Sequence, residues 1–241
     1  MSLLHLLQQE TGKIGLLIDP DKSRDLQSLT ELIANCDNSA IDYLLIGGSS
    51  VTNSDFQEVV KHVKTTSKKP VIIFPGDYQQ VSKHADALFY LQLISGRNPD
   101  YLIDHHVKSS QAIIESGIEC IPTSYLLIDG ATKSSVSKVS KTDPIDPTNE
   151  DLILSTALAG QLLGHQLLYL EAGSGAQKPI SKELISMIKS KTKQTLVVGG
   201  GIRDLETIQQ MQSMGVNLIV IGTIFEENPA FINKMNNQLF Q

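Results

Sequence analysis

The sequence repeats one pattern almost from end to end: a short apolar run ending in Gly, Ser, Asp or Pro, then a longer amphipathic stretch. This alternation is typical of βα units and argues against all-β and all-α folds. The apolar runs predict strands at 14–19, 43–48, 71–74, 87–94, 118–128, 167–173, 195–200 and 218–223. Eight such units favour a closed (β/α)8 barrel of the TIM type, whose functional loops follow the carboxyl ends of the strands. An open, doubly wound sheet is the alternative, because strand number alone does not prove closure.

Length and composition indicate one large α/β domain over residues 1–241, with 41% hydrophobic residues and a net charge of -6. No dense Lys/Arg cluster is present, which disfavours a nucleic-acid surface or a polybasic membrane patch. Cys36 and Cys120 have no zinc-like spacing, and we expect two buried thiols in a reducing compartment. The N-terminal apolar stretch is too short for a signal peptide, and no run reaches the ~20 residues of a membrane span. We therefore expect a cytoplasmic protein with at most transient membrane contact.

The stretches between the strands mostly have helical spacing. Thr148 and Asp204 are the predicted N-terminal caps of two of these helices. The link after the third strand, residues 75–86, has no apolar stripe, so one helix of the barrel is predicted to be weak or missing. Residues 129–149 are polar and rich in Ser, Lys and Pro, which predicts a long loop and a candidate lid.

The motif YLEAGSG at 169–175 places a single carboxylate at the end of the sixth strand. Side chains alternate along a strand, so Tyr169 and Glu171 share one face and Leu168 and Leu170 share the other. The aliphatic face should meet the helices, which directs Glu171 into the mouth of the barrel. Partial burial there raises a carboxylate pKa and makes it a usable base. The alternative is that Glu171 pairs with a buried Lys or Arg and only stabilises the barrel.

Small residues dominate the loops after the last three strands, at 172–176, 199–204 and 221–223. Backbone N–H groups can approach an anion closely in such loops, and the last two lead into helix N-termini that attract phosphate. The loops after strands seven and eight are the usual phosphate site of these barrels. The expected donors are Gly200, Gly201, Gly222 and Thr223. Simple turns are the alternative for any one of these loops.

The first strand ends at Asp19, and the next residue is a proline that blocks further strand pairing. A carboxylate at the barrel mouth, with the hydroxyls of Ser49 and Ser50 on the neighbouring strand end, suits Mg²⁺ shared with substrate phosphates. Alternatively, Asp19 caps the following turn. Lys22 is a candidate for holding a second anionic group, or else a solvated lysine. No histidine is assigned to the site.

The motifs LLIDPDK, LLIGGSS, SGRNP, YLEAGSGA, VVGGGIR and VIGT occur in this order at the predicted strand ends. With them, the chain closely resembles the geranylgeranylglyceryl phosphate synthase family, over nearly its whole length. The resemblance implies a Mg²⁺-dependent prenyltransferase that joins sn-glycerol 1-phosphate to a polyprenyl diphosphate, with geranylgeranyl diphosphate as the expected donor. It also implies a modified barrel in which irregular chain replaces one helix.

The resemblance implies site residues on this sequence. Asp19 and Ser49 would be the Mg²⁺ ligands. Glu171 and Tyr169 are the expected catalytic residues, and Glu171 would either take the proton of the glycerol hydroxyl or stabilise the allylic cation. The expected substrate-binding residues, with Lys22 added from its own position, are Lys22, Tyr169, Leu170, Glu171, Ala172, Gly173, Ser174, Gly175, Gly200, Gly201, Gly222 and Thr223.

The prenyl tail needs an apolar groove, for which Phe89, Tyr90 and Tyr101 are candidates. Alternatively, Phe89 and Tyr90 are core or helix-packing residues. The resemblance also implies a homo-oligomer with Tyr101 at a subunit contact. Two other functions stay open at this point: another phosphate-binding barrel enzyme of biosynthesis, and a catalytically silent phosphoprenyl-binding protein.

Overall fold

The computed structural model describes residues 1–22, 25–48, 56–228, 231–232 and 235–236. Its strands are β1 (Lys13–Ile18), β2 (Tyr43–Ile46), β3 (Val71–Ile73), β4 (Ala87–Leu93), β5 (Glu119–Leu127), β6 (Leu167–Glu171), β7 (Thr195–Gly199) and β8 (Leu218–Ile221). Its helices are α1 (Leu3–Gln9), α2 (Leu26–Asp37), α3 (Phe56–Thr66), α4 (His105–Ser116), α5 (Ser135–Ser140), α6 (Glu150–Leu162), α7 (Lys182–Lys191), α8 (Leu205–Ser213) and α9 (Thr223–Glu227). A π-helix, Asp100–Asp104, leads directly into α4.

The strands form a closed parallel barrel in sequence order, β1 to β8. Closure is visible at β1, where Leu16 pairs with Leu44 of β2 on one side and with Ile221 of β8 on the other. The predicted barrel is therefore confirmed, and the open doubly wound sheet is excluded. Because all strands are parallel, their carboxyl ends meet at one end of the barrel.

Alternate side chains of a strand point to opposite faces, so the strands contribute to two apolar layers, one inside the barrel and one between the barrel and the helices. In β6, Leu167 and Tyr169 belong to the cluster that fills the barrel, whereas Leu168 and Leu170 belong to the cluster between strands and helices. The alternation expected for this strand is confirmed. It places Glu171, the last residue of β6, on the inward face.

The irregular parts of the chain differ in part from expectation. No helix occurs among the described residues 74–86, so the weak link after β3 is confirmed. The polar segment 129–149 is more ordered than a long loop, because Ser134 caps the short helix α5 and Ile128 pairs with Ile145. Asp204 caps α8 as predicted, but α6 is capped by Asn149 and not by Thr148.

Helix α1 closes the amino end of the barrel. Leu3 and Leu7 join the cluster inside the barrel, and the Glu119 carboxylate accepts hydrogen bonds from the first N–H groups of the helix. Cys36 is buried, but Cys120 is exposed, so the expectation of two buried thiols is wrong for Cys120. Among the residues described, no helix is both long and apolar enough to cross a membrane.

Candidate active site

A cavity of about 310 Å³ lies at the carboxyl ends of the strands. The predicted site residues that line it are Asp19, Lys22, Tyr169, Glu171, Ser174, Gly200, Gly201, Gly222 and Thr223. The carboxylates from β1 and β6 therefore face one common space, and so do the glycine-rich loops after β7 and β8. Convergence of polar groups from distant strands is what a binding or catalytic site of this fold requires.

Glu171 is only 7% exposed, and its carboxylate is held by the chain that follows it. The Gly173 N–H donates to its Oε1 atom at 2.6 Å. No Lys or Arg of the described chain forms an ion pair with Glu171. The alternative that this carboxylate is a structural ion-pair partner therefore has no support in the described residues.

Burial raises the pKa of Glu171 to about 7, against the opposing effects of the Gly173 N–H and the nearby Tyr169 hydroxyl. A carboxylate in water is favoured by hydration, which a buried one loses, so the neutral form becomes competitive near pH 7. A group with a pKa close to the working pH can both accept and release a proton. A carboxylate with such a raised pKa meets one requirement of a general base.

The Tyr169 hydroxyl is the second buried polar group of the site. It lies beside Oε2 of Glu171, since a Cβ built on Gly199 would contact both atoms. No described residue forms a hydrogen bond with this hydroxyl. Burial and the Glu171 charge raise the pKa of Tyr169 well above its usual value, so the phenol stays neutral. Buried hydroxyls normally have a partner, and this one is oriented towards the cavity where a ligand could supply it.

Aromatic rings form the floor beneath these two polar groups. The ring centroid of Tyr169 lies 5.2 Å from that of Tyr125 and 5.3 Å from that of Phe74. Both partners line the cavity, although the sequence did not single them out. Tyr125 has the inward parity of β5, and this parity was the only signal that pointed to it.

Gly200 and Gly201 follow β7 at positions where a side chain cannot be placed. Their φ angles are +82° and +69°. A Cβ on Gly200 would collide with Oε1 of Glu171, and one on Gly201 would lie 2.7 Å from the carbonyl of Lys178. The glycines therefore allow the β7 loop to pass directly against the Glu171 carboxylate and the loop after β6.

Unpaired backbone donors surround the same part of the cavity. The N–H groups of Ser174, Gly200, Gly201, Gly222 and Thr223 donate no hydrogen bond to another described residue. The Asp204 carboxylate already accepts from the Thr207 N–H at the start of α8. An anion in the cavity would therefore be held by loop N–H groups rather than by that helix terminus.

Asp19 lies at the end of β1, on another wall of the cavity. Its Oδ1 accepts from the Asp21 N–H at 3.1 Å, and its Oδ2 lies 4.0 Å from Nζ of Lys22. The bond from the Asp21 N–H is the turn-capping bond that we expected as the alternative role of Asp19. The carboxylate nevertheless lines the cavity. Ser49 and Ser50 lie outside the described residues.

Some predicted residues do not line the cavity. Leu170 and Ala172 are 0% and 3% exposed and belong to the layer between strands and helices. Gly173 and Gly175 lie in the loop after β6, and neither borders the cavity. Their expected contact with substrate stays a prediction.

The cavity extends from Glu171 towards α4 and α5 along an apolar wall. Its apolar lining comprises Leu88, Leu91, Leu93, Ile113, Val136 and Val139. Tyr90 and Tyr101 also line it, whereas Phe89 is fully buried inside the barrel, so the core alternative holds for Phe89. His105 and His106 border this part of the cavity, which sequence reasoning missed because two adjacent helical histidines gave no metal-binding pattern.

Comparison with known proteins places this geometry in a family. Residues 8–239 match the PcrB family. A protein of Chitinophaga pinensis named geranylgeranylglyceryl phosphate synthase is 43% identical over 221 residues, which are 92% of this chain and 87% of that protein. The chain belongs to the PcrB family.

Solved structures of the same family share the fold in detail. Wild-type GGGPS from Thermoplasma volcanium superimposes with a TM-score of 0.90 at 32% identity, over 100% of this chain and 97% of that one. The (S)-3-O-geranylgeranylglyceryl phosphate synthase from Thermoplasma acidophilum, in complex with its substrate sn-glycerol-1-phosphate, gives 0.88 at 29% identity, over 98% and 99%.

Proposed function

We propose that this protein is a magnesium-dependent prenyltransferase that forms an ether between sn-glycerol 1-phosphate and a polyprenyl diphosphate. Geranylgeranyl diphosphate is the expected donor. One observation carries the proposal: Glu171 is a buried carboxylate without a described cationic partner, and it shares one cavity with Asp19, with backbone N–H groups that have no described acceptor, and with an apolar wall. Membership in a family of proteins named geranylgeranylglyceryl phosphate synthase supports it.

The phosphate of the acceptor belongs with the loops after β7 and β8. The chain has a net charge of -6, so an anionic substrate needs donors that are local to the site. Gly200, Gly201, Gly222 and Thr223 supply N–H groups with no described acceptor, and all four line the cavity. The sn-glycerol-1-phosphate bound by the Thermoplasma acidophilum relative is the ligand that such a cradle suits.

The chemical step then uses Glu171 and Tyr169. The bond between C1 of the prenyl chain and the diphosphate oxygen breaks, and diphosphate leaves with the electron pair. The glycerol hydroxyl oxygen bonds to C1, and its proton passes to the Glu171 carboxylate. The neutral Tyr169 hydroxyl beside Oε2 orients the attacking hydroxyl through a hydrogen bond.

The residues around Asp19 fit a magnesium ion that is shared with a substrate. Mg²⁺ usually takes one or two carboxylates and completes its shell with water and substrate phosphates. Asp19 supplies a carboxylate at the cavity wall, and no cluster of three or more His, Cys, Asp or Glu occurs in the part of the chain described here. Asp19, together with Ser49, would hold Mg²⁺, which when bound neutralises charge on the departing diphosphate.

The apolar wall separates this proposal from other enzymes that bind sugar phosphates in a barrel. Those enzymes need the phosphate cradle but no long apolar surface. Here an apolar wall extends the cavity away from Glu171, and it includes Leu91, Leu93, Ile113 and Val136. A prenyl tail requires such a surface, because burial of each methylene contributes about 0.8 kcal/mol.

Incubation of the purified protein with labelled sn-glycerol 1-phosphate, Mg²⁺ and a panel of polyprenyl diphosphates tests the proposal. We expect an ether-linked product, its loss on chelation of Mg²⁺, and little product from sn-glycerol 3-phosphate. Absence of product with every donor, despite measurable donor binding, would instead favour a silent phosphoprenyl-binding protein.

The homo-oligomer that the family resemblance implies is part of the same proposal. Ile114 of α4 and Leu162 of α6 are 81% and 86% exposed, and a second copy packed on these helices would cover them. Light scattering after size-exclusion chromatography should give a mass above the 26.3 kDa of one chain.

A further inference from the structure

Gln80 is a buried polar residue in the irregular chain between β3 and β4. It is 1% exposed and lines the cavity. Its Nε2 donates to the carbonyl oxygen of Gly48 at 3.0 Å, and its Oε1 accepts from the Gly76 N–H at 3.1 Å. Both ends of the amide are therefore satisfied, and each bonds to the backbone of a different loop. The side chain joins the chain after β2 to the chain after β3.

The backbone that Gln80 holds lies directly against Asp19. A Cβ built on Gly48 would lie 3.3 Å from both Cγ and Oδ1 of Asp19. The preceding residue is also tightly placed, since a Cβ on Gly47 would collide with the Phe74 carbonyl oxygen. A small movement of the Gly47–Gly48 backbone would therefore change the space around the Asp19 carboxylate.

We propose that Gln80 is a positioning residue for the diphosphate end of the site. It acts through Gly48, whose backbone it fixes next to Asp19. In the other βα units of this barrel a helix follows the strand, but after β3 the described chain has none, and the buried Gln80 amide supplies the rigid link. This inference rests on the proposed function, because it assumes that Asp19 serves a metal and a diphosphate.

Two substitutions at Gln80 distinguish the contribution of its bond to Gly48 from that of its bond to Gly76. Gln80→Met keeps the length of the side chain but removes both bonds. Gln80→Glu keeps an acceptor for the Gly76 N–H but places an oxygen against the Gly48 carbonyl. If the bond to Gly48 is the important one, both variants lose function. The exposed neighbour Gln79 offers a matched control, Gln79→Met, because no hydrogen bond of its side chain occurs in the described structure.

Binding, measured apart from turnover, tests the inference. The probes are Mn²⁺, followed by electron paramagnetic resonance in the presence of inorganic pyrophosphate, and sn-glycerol 1-phosphate, followed by calorimetry. We expect Gln80→Met and Gln80→Glu to weaken Mn²⁺–pyrophosphate binding about 10-fold, a loss typical of altered support around a metal site. Binding of sn-glycerol 1-phosphate should change less than about 2-fold, since the cradle after β7 and β8 has no contact with Gln80. Gln79→Met should match the wild type for both probes.

The binding results distinguish a failure of the proposed function from a failure of the positioning role of Gln80. Wild-type protein that binds no Mn²⁺–pyrophosphate would contradict the proposed function itself. Normal Mn²⁺ binding by Gln80→Glu, or equal weakening of both ligands, would overturn the positioning role alone. If the Gln80 variants fail to fold, Gly48→Ala perturbs the same contact from the other side, and it should weaken Mn²⁺–pyrophosphate binding selectively. Unchanged binding by Gly48→Ala would then overturn the inference.

Discussion

The backbone N–H of Gly173 donates a 2.6 Å hydrogen bond to Oε1 of Glu171, two residues before it. This bond fixes one carboxylate oxygen against the loop after β6 and leaves Oε2 beside the Tyr169 hydroxyl. The two oxygens therefore differ: Oε1 is held by the backbone, and Oε2 is the oxygen that would take the proton in the proposed reaction. The YLEAGSG motif supplies the carboxylate, its anchor and its hydroxyl neighbour within one short segment.

The activity should depend on pH through Glu171. Its pKa is raised to about 7 by burial, so below that pH the side chain is protonated and cannot act as a base. We expect kcat/KM to rise about tenfold per pH unit below pH 7 and to level off above it. Steady-state rates with saturating Mg²⁺ over pH 5.5 to 9 measure this.

Glu171→Gln is the control for that profile, since it keeps the shape and the acceptor for Gly173 but has no proton-accepting form. We expect turnover to fall about 10²–10⁴-fold, and the residual rate to vary little with pH over the same range. A residual rate with the wild-type pH profile would assign the ionisation to another group.

The same substitution should stabilise the protein at high pH. The pKa of Glu171 in the folded state lies above its ordinary value of 4.5, so the folded state holds the proton more tightly than the unfolded state. The associated stability is complete below about pH 4.5 and is lost as the pH rises to about 7. The loss is on the order of 3 kcal/mol by pH 8, at 1.36 kcal/mol per pKa unit.

Thermal unfolding of the wild type and of Glu171→Gln at pH 5 and pH 8.5 measures this difference. We expect Glu171→Gln to melt several degrees above the wild type at pH 8.5 and close to it at pH 5. If the variant and the wild type melted at the same temperature at pH 8.5 as well as at pH 5, burial would not destabilise the ionised carboxylate.

Tyr169→Phe should separate catalysis from folding. The hydroxyl is buried beside Oε2 of Glu171, and no hydrogen bond of normal geometry joins it to a described residue, so its removal should cost little stability. Loss of one oriented hydrogen bond to the attacking hydroxyl should lower kcat about 10-fold, while the free energy of unfolding stays within about 1 kcal/mol. Rapid-quench turnover and urea unfolding measure the two quantities. A large loss of stability would instead identify the hydroxyl as a structural group.

Sequence patterns predicted the parts of the molecule that follow from periodicity. The strand runs predicted the barrel, and the alternation in β6 turned Glu171 inward and Leu170 outward, because side-chain direction along a strand is fixed by the pleat. Asp19, expected at the barrel mouth because it ends the first strand run, does lie at the cavity wall. In each case a local property of the chain determines where the residue lies.

Other site residues depend on contacts between distant segments, which no local pattern encodes. Gln80 is one glutamine in an irregular stretch, and only the folded chain brings its amide to Gly48, 32 positions away. Phe74 and Tyr125 resemble ordinary strand residues in the sequence, yet both rings pack against Tyr169 and line the cavity. Even the cap of α6 was missed by one residue, because Asn149 and Thr148 are both good capping residues.

Gly200 and Gly164 form a matched pair for testing how closely the loops pack. Both have positive φ angles, +82° and +89°, so alanine strains the backbone about equally at either position, by about 1 kcal/mol. They differ in space: a Cβ on Gly200 would collide with Oε1 of Glu171, whereas one on Gly164, in the turn after α6, meets nothing within 4 Å.

We therefore expect Gly164→Ala to lower stability modestly and to keep most activity. Gly200→Ala should lower stability by about 1–3 kcal/mol more, as is typical of overpacked sites, and should reduce turnover at least 10-fold by displacing the carboxylate. Urea unfolding and steady-state assays of the two variants measure the difference. If the two alanine variants lost the same stability and activity, the close contact between the β7 loop and Glu171 would not determine the geometry of the base.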